Sequence, residues 1–247
     1  MSRLMVNRHR LYEITGIVAF TGIEFAQIWR LGSASGSVWD YATITLACIV
    51  GYVGADFISG LIHWLFDRYG SVDTPVFGPN FVRPFREHHI DEKGITRHDF
   101  IETNGNNCIA TAPLLVPALM VPLHAGEPVA LFLVAVLTSG ALAVFATNQF
   151  HKWAHEDRPP PLVDMMQRLG LILGPRHHSI HHTPPFDRYY CITTGWLNPL
   201  LFRVRFYDHL EALILKLSGV HAGLDDAQRL AMATARAESR AFKRTGS

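Results

Sequence analysis

The chain has 247 residues, is 49% hydrophobic and only 17% charged, and carries a formal net charge of +1. A soluble domain usually has about a quarter of its residues charged, so the composition points to an integral membrane protein. The near-neutral balance excludes a nucleic-acid binder, which would show a basic surplus.

Residues 1–10 are polar and basic. Residues 11–29 are mostly apolar and long enough, at roughly 28 Å as a helix, for a first membrane span. Glu24 within it requires the shelter of other helices. The run ends in Trp29 and Arg30 with no small-residue cleavage site, so no cleavable signal peptide is expected. A short Gly/Ser-rich loop leads to a second span over 41–66, whose last turns carry Asp56, His63 and Asp67. Residues 67–107 read as a polar region, and within it 84–107 is dense in ionisable groups. Apolar sequence resumes over 108–123 and 129–150, a hairpin of spans three and four. Prolines 113, 117 and 122 suggest a kink or a re-entrant third span. After Pro159–Pro161, the helical spacing of Leu162, Met165, Met166, Leu169 and Ile172 suits a helix on the membrane surface. Residues 196–217 read as interfacial, and the Ala- and Arg-rich tail from 224 to 242 as a helix that frays at its end. No internal repeat is seen, so the expectation is a single domain over 1–247. It is an all-α integral membrane protein, with four transmembrane helices, a cytoplasmic histidine-rich cap and surface helices.

Lys and Arg set the orientation. The loop after span one holds only Arg30, and the turn between spans three and four holds none. Cationic segments stay cytoplasmic, so both termini and the histidine-rich regions 67–107 and 151–217 are expected there.

Histidine is the outlier, at fourteen copies. Adjacent imidazoles are poor solubilisers near pH 7 but good metal ligands. The four-span topology brings His63, His88, His89, His98, His151, His155, His177, His178, His181 and His182 to one membrane face. His9, His124, His209 and His221 stay isolated. His151 and His155 share a helix face, as do His63 and Asp67, and the HxxHH box of His178, His181 and His182 is expected to point one way. The three cysteines, Cys48, Cys108 and Cys191, have no CxxC spacing, which excludes a disulfide framework and a cysteine-based zinc site. Absence of HExxH argues against a zinc protease. Imidazole suits zinc, copper, iron and nickel. Eight or more imidazoles exceed the needs of one ion and suggest two, an arrangement that in membrane enzymes with such boxes is typically di-iron and activates dioxygen.

The segments GPNFVRPFREHHIDEKGITRHDFIETNGNN, NQFHKWAH and RHHSIHHTPPFDRYYCITTGWLN resemble the plasmanylethanolamine desaturase family, also called the Kua family, over residues 56–198. The resemblance implies a four-span enzyme with a di-iron centre. It would introduce the vinyl ether double bond of a plasmalogen into a 1-O-alkyl glycerophosphoethanolamine, using dioxygen and an external electron donor of the cytochrome b5 or ferredoxin type. It implies His63, His88, His89, His151, His155, His178, His181 and His182 as iron ligands. Asp67 is a further ligand or a partner that orients an imidazole. His98 and His177 are either an additional ligand or supporting groups. Asn104 and Asn107 lie beside the site, and Arg83, Arg86 and Arg97 are either lipid-phosphate binders or plain surface charge. The host membrane would be a bacterial inner membrane or the endoplasmic reticulum. Two rivals stay open: a desaturase or hydroxylase of another acyl lipid, and a histidine-rich metal transporter, although a transporter needs ligands on both halves of its route.

Overall fold

The computed structural model describes residues 3–75 and 78–223, and these fold as helices with no strand among them. The tail helix expected over 224–242 lies outside the described residues. Four helices are long: α1 (Arg3–Ala34), α2 (Val38–Arg68), α4 (Phe100–Met120) and α5 (Pro128–His155). The short ones are α3 (Arg83–His88), α6 (Pro161–Arg168), α7 (Pro175–His178), α8 (Asn198–Arg203) and α9 (Phe206–Ser218). By length and composition, α2 and α5 can cross a membrane.

The helices run past the limits expected from hydropathy. α1 extends beyond 11–29 at both ends, and α4 begins at Phe100, eight residues before the apolar run. Hydropathy misses that first part of α4 because it is polar, and it is held by side-chain chemistry instead. Asp99 caps it, accepting from the Ile101 and Glu102 amides. Arg10 grips the same carboxylate with two bonds of 2.8 and 2.6 Å. Pro113 and Pro117 sit inside α4 without ending it.

The described residues fall into two compact units, whose boundaries lie within α2, between Thr96 and Arg97, and within α5. One contains the chain up to Ile58 together with Arg97–Trp153; the other contains Ser59–Thr96 together with the chain from Ala154 onward.

In the first unit α1 packs along α4. Gly105 allows the close approach: a Cβ there would stand 2.5 Å from the Cβ of Glu13. Glu13 and Glu24 are both buried, as a carboxyl inside an apolar helix requires. Arg30 reaches the other end of α4 and donates to the carbonyls of Ala118, at 2.9 Å, and Val121, groups that no helical amide can satisfy. The polar side chains of α4 and α5 meet each other. Asn104 donates to Gln149 Oε1 at 3.1 Å, Asn107 to the Val144 carbonyl and Asn148 to the Thr103 carbonyl, both at 3.2 Å. An apolar cluster of Leu31, Ala34, Ala47, Leu131, Val134 and Ala135 completes this unit.

The second unit is built on the last turns of α2. Gly60 lies against Cys191 and Tyr207, with no room for a Cβ. Ser59 Oγ accepts from the Ile192 amide at 3.0 Å. Arg86 closes the C-terminus of α2 by donating to the carbonyls of Phe66, Tyr69 and Gly70. The helix expected over 162–172 is α6, which is shorter and buries Val163 while exposing Leu162 and Met165.

Candidate metal centre

Each histidine box is set by a local helical turn. His63 and Asp67 stand one turn apart near the end of α2. His88 is the last residue of α3 and His89 its cap, so their side chains diverge by the roughly 100° that separates neighbours on a helix. α7 ends at His178, but its turn continues, with the amides of His181 and His182 bonded to the His178 carbonyl at 2.9 and 3.3 Å. His178 and His182 therefore lie one turn apart and meet edge to face, with ring centroids 4.5 Å apart, and His181 is rotated away. The expectation that all three point one way is corrected by this rotation.

Two groups result. In the first, His88 Nε2 is 2.9 Å from His155 Nε2, and His182 Nε2 is 3.0 Å from His178 Nε2. In the second, His89 Nε2 is 3.0 Å from His181 Nε2. Asp67 Oδ2 is 3.4 Å from His63 Nε2, 3.6 Å from His89 Nε2 and 3.4 Å from His181 Nε2. Within each group one ligand atom per residue lies within 4.8 Å of all the others, and each group could hold a metal ion. The adjacent His88 and His89 thus serve different groups. α5 also carries His151, buried, one turn before His155.

The outer nitrogens settle the tautomers. His63 Nδ1 is 3.1 Å from the Tyr190 carbonyl, and His181 Nδ1 is 2.9 Å from the Arg188 carbonyl. A carbonyl only accepts, so each Nδ1 donates outward and Nε2 is the nitrogen that faces the group. His182 Nδ1 lies 3.3 Å from Glu92 Oε1, with the same consequence. This is the orientation that metal-binding imidazoles take from their outer partners.

Charge makes the same point. Burial, followed by the neighbouring imidazoles, pushes His88 and His89 well below the usual imidazole range, and burial also lowers His182. Burial thus favours the neutral, metal-binding form of these imidazoles, and the side chain of Asp67 is fully buried beside His63, His89 and His181. Neutral imidazoles and a carboxylate are the forms in which these side chains bind a cation. Imidazole nitrogens with a single carboxylate and no thiolate suit iron, zinc, copper or nickel. The residues present fit a pair of such ions.

Other sequence-predicted positions lie elsewhere. His98 is exposed, 3.7 Å from Glu102. His177 is half-buried against Tyr189, and its Nε2 is 3.2 Å from Asn198 Nδ2. Arg83 and Arg97 are exposed, while Arg86 holds the α2 carbonyls. Sequence reasoning missed Glu92 and Tyr190. Glu92 had a signal, as a carboxylate three residues after the His88–His89 pair. Tyr190 acts through its carbonyl, which leaves no trace in residue type.

Comparison with known proteins gives the family of the chain. A lipid desaturase domain matches residues 52–225. The chain is 47% identical over 218 residues to the plasmanylethanolamine desaturase of Myxococcus xanthus, covering 88% of this chain and 76% of that protein. It is 45% identical over 193 residues to plasmanylethanolamine desaturase 1 of Mus musculus, covering 76% and 71%. Identity to the chloroplastic fatty acid desaturase 4 of Arabidopsis thaliana is 35% over 178 residues, covering 71% and 53%. No solved structure matches.

Proposed function

The chain belongs to the lipid desaturase family, and from that premise we propose that it is a plasmanylethanolamine desaturase, an oxidoreductase that introduces the vinyl ether double bond into a 1-O-alkyl ether phospholipid. The observation that carries the reading is the pair of buried ligand groups, formed by residues inside the matched domain. The transporter alternative gives way to this membership.

His88, His155, His178 and His182 would hold one ion, with His151 joining them from the preceding turn of α5. His63, His89, His181 and Asp67 would hold the other. A pair of irons, when bound, supplies the power to remove two hydrogens from an unactivated alkyl chain, drawn from dioxygen and from a carrier of the cytochrome b5 or ferredoxin type. The protein's share is different. Tyr190, Arg188 and Glu92 fix three imidazoles by their outer nitrogens, so that the site is set before the ions arrive. Burial of both groups keeps bulk water from the reacting chain. We place α1, α2, α4 and α5 across the membrane, with both termini and the site cytoplasmic. The distribution of Lys and Arg supports that orientation. Arg83 and Arg97, exposed near the site in sequence, are proposed to meet the lipid phosphate.

The test is direct. Iron-loaded protein in detergent, supplied with 1-O-alkyl glycerophosphoethanolamine, dioxygen and a reducing carrier, yields an acid-labile vinyl ether, and His88→Ala does not. Full iron occupancy without vinyl ether would end the assignment. Identity to the Arabidopsis fatty acid desaturase supports a second reading, an ester-linked acyl chain as substrate. The same preparation, offered a diacyl phospholipid, distinguishes the two.

A further inference from the structure

The aromatic residues around His63 are sorted by chemistry. On one side Phe85 lies 5.1 Å from His63, followed by Phe66 at 5.4 Å from Phe85 and Phe81 at 5.7 Å from Phe66. On the other side the series is oxidisable throughout. Tyr190 is 5.1 Å from His181 and 5.9 Å from His63. Tyr207 is 4.9 Å from Tyr190, Trp64 is 5.6 Å from Tyr207, and Tyr69 is 5.3 Å from Trp64. All belong to the unit that holds both ligand groups' α2, α3 and α7 residues. Tyr190, Tyr207 and Trp64 are buried. Packing alone would be served by phenylalanine, as it is on the other side.

Trp64, the third ring of the series, has a base beside it. Trp64 Nε1 donates to Glu211 Oε1 at 3.0 Å, and Arg68 holds the same carboxylate at 2.8 and 3.2 Å. The Glu211 side chain is 24% exposed, so protons can leave it for water. Tyr190 has no such base: its hydroxyl donates to the Phe186 carbonyl at 3.2 Å, and a carbonyl does not take the proton. A hole arriving at Tyr190 is therefore not held there, whereas at Trp64 it is.

We propose that Tyr190, Tyr207 and Trp64 form an electron relay, through which a metal centre oxidised by dioxygen in the absence of lipid is reduced before it damages its own ligands. The inference rests on the desaturase reading. With the metals bound and oxidised, Trp64 would pass one electron to them through Tyr207 and Tyr190. Trp64 loses that electron, and its N–H proton moves to Glu211, leaving a neutral indole radical. A one-electron reductant of the carrier class restores the indole, and Glu211 returns the proton.

The experiment uses the full chain loaded with ferrous iron and exposed to dioxygen without lipid, quenched by freezing and read by electron paramagnetic resonance. Wild-type protein shows an aromatic radical whose hyperfine pattern changes with ring-deuterated tryptophan, an assignment that needs no variant. Trp64→Phe loses the signal, and Tyr207→Phe lowers it several-fold with iron content unchanged. Glu211→Gln converts it to the protonated indole radical, seen as a shift of its optical band. Trp64→Phe also completes several-fold fewer turnovers before inactivation. The relay is overturned by equal radical yield in wild type, Trp64→Phe and Tyr207→Phe, or by oxidation of the iron with no aromatic radical. The vinyl ether assay on the same preparations separates the two ideas. Product without a radical removes the relay alone, and no product at full iron occupancy removes the desaturase assignment.

Discussion

Asp67 Oδ2 stands 3.4 Å from His63 Nε2, one helical turn earlier on α2, and neither side chain is exposed. It is the only carboxylate in either ligand group among the described residues, so the two proposed ion positions differ in charge. Asp67→Asn keeps the shape and removes the charge from one position. The expected outcome is selective: iron content falls towards half, and the affected position binds about 10- to 100-fold more weakly. Metal analysis with a titration of ferrous iron checks this. Equal loss from both positions, or no loss, would contradict the division into two groups.

The second prediction concerns acid. His88 and His89 are pushed below the ordinary imidazole range by burial. In the unfolded chain an imidazole takes its proton near pH 6.5. Below that value the unfolded state binds more protons than the metal-free folded state, so stability falls as pH falls. Metal-free protein should therefore lose Tm steadily on going from about pH 6.5 downwards, and hold it above. His88→Phe with His89→Phe should flatten the slope. A metal-free Tm that rises on acidification would reverse the sign and sink the argument.

The sequence makes the candidate ligands legible one box at a time, because i and i+4 spacing is a property of any helix. It does not show how boxes divide between ions. His88 and His89 read as a pair and serve separate groups, since a helical turn splays neighbours. His178, His181 and His182 read as one face and split two to one. The polar start of α4, with Asn104 and Asn107, reads as loop because hydropathy ignores hydrogen bonds to a partner helix. Carbonyls that orient His63 and His181 come from residues 188–190, a segment without regular structure, where pattern carries no information.

One side chain makes two bonds to the end of that irregular segment. Asn198, buried after Leu197, accepts from the Cys191 amide at 2.8 Å and donates to the Cys191 carbonyl at 2.9 Å. It pairs with the backbone as a neighbouring strand would. Asn198→Ala removes both bonds and should cost about 1–3 kcal/mol. Asn198→Asp should be no better, since a carboxylate cannot donate to the carbonyl. Unfolding followed by tryptophan fluorescence measures both. An aspartate variant as stable as wild type would show that the bond to the carbonyl contributes nothing.

Phe186 gives the last prediction, one whose sign runs against habit. Its ring is buried and stacks on His89, with centroids 5.0 Å apart and planes 12° from parallel. Its backbone takes φ of 62°, in the left-handed region, which costs an L-residue roughly 1–2 kcal/mol. The stacking is what the strain supports. Both Phe186→Ala and Phe186→Gly lose the ring and should be destabilised by about 3–5 kcal/mol. Glycine carries no left-handed penalty, so it should be the more stable of the two by about 1 kcal/mol. At most positions in regular structure the order is the opposite, because glycine loses more chain entropy. Both variants should bind ferrous iron more weakly than wild type, as His89 loses the flat surface that sets its plane. A glycine variant less stable than the alanine one would mean that the backbone at 186 relaxes out of this conformation once the ring is gone, and that the strain is not built into the loop.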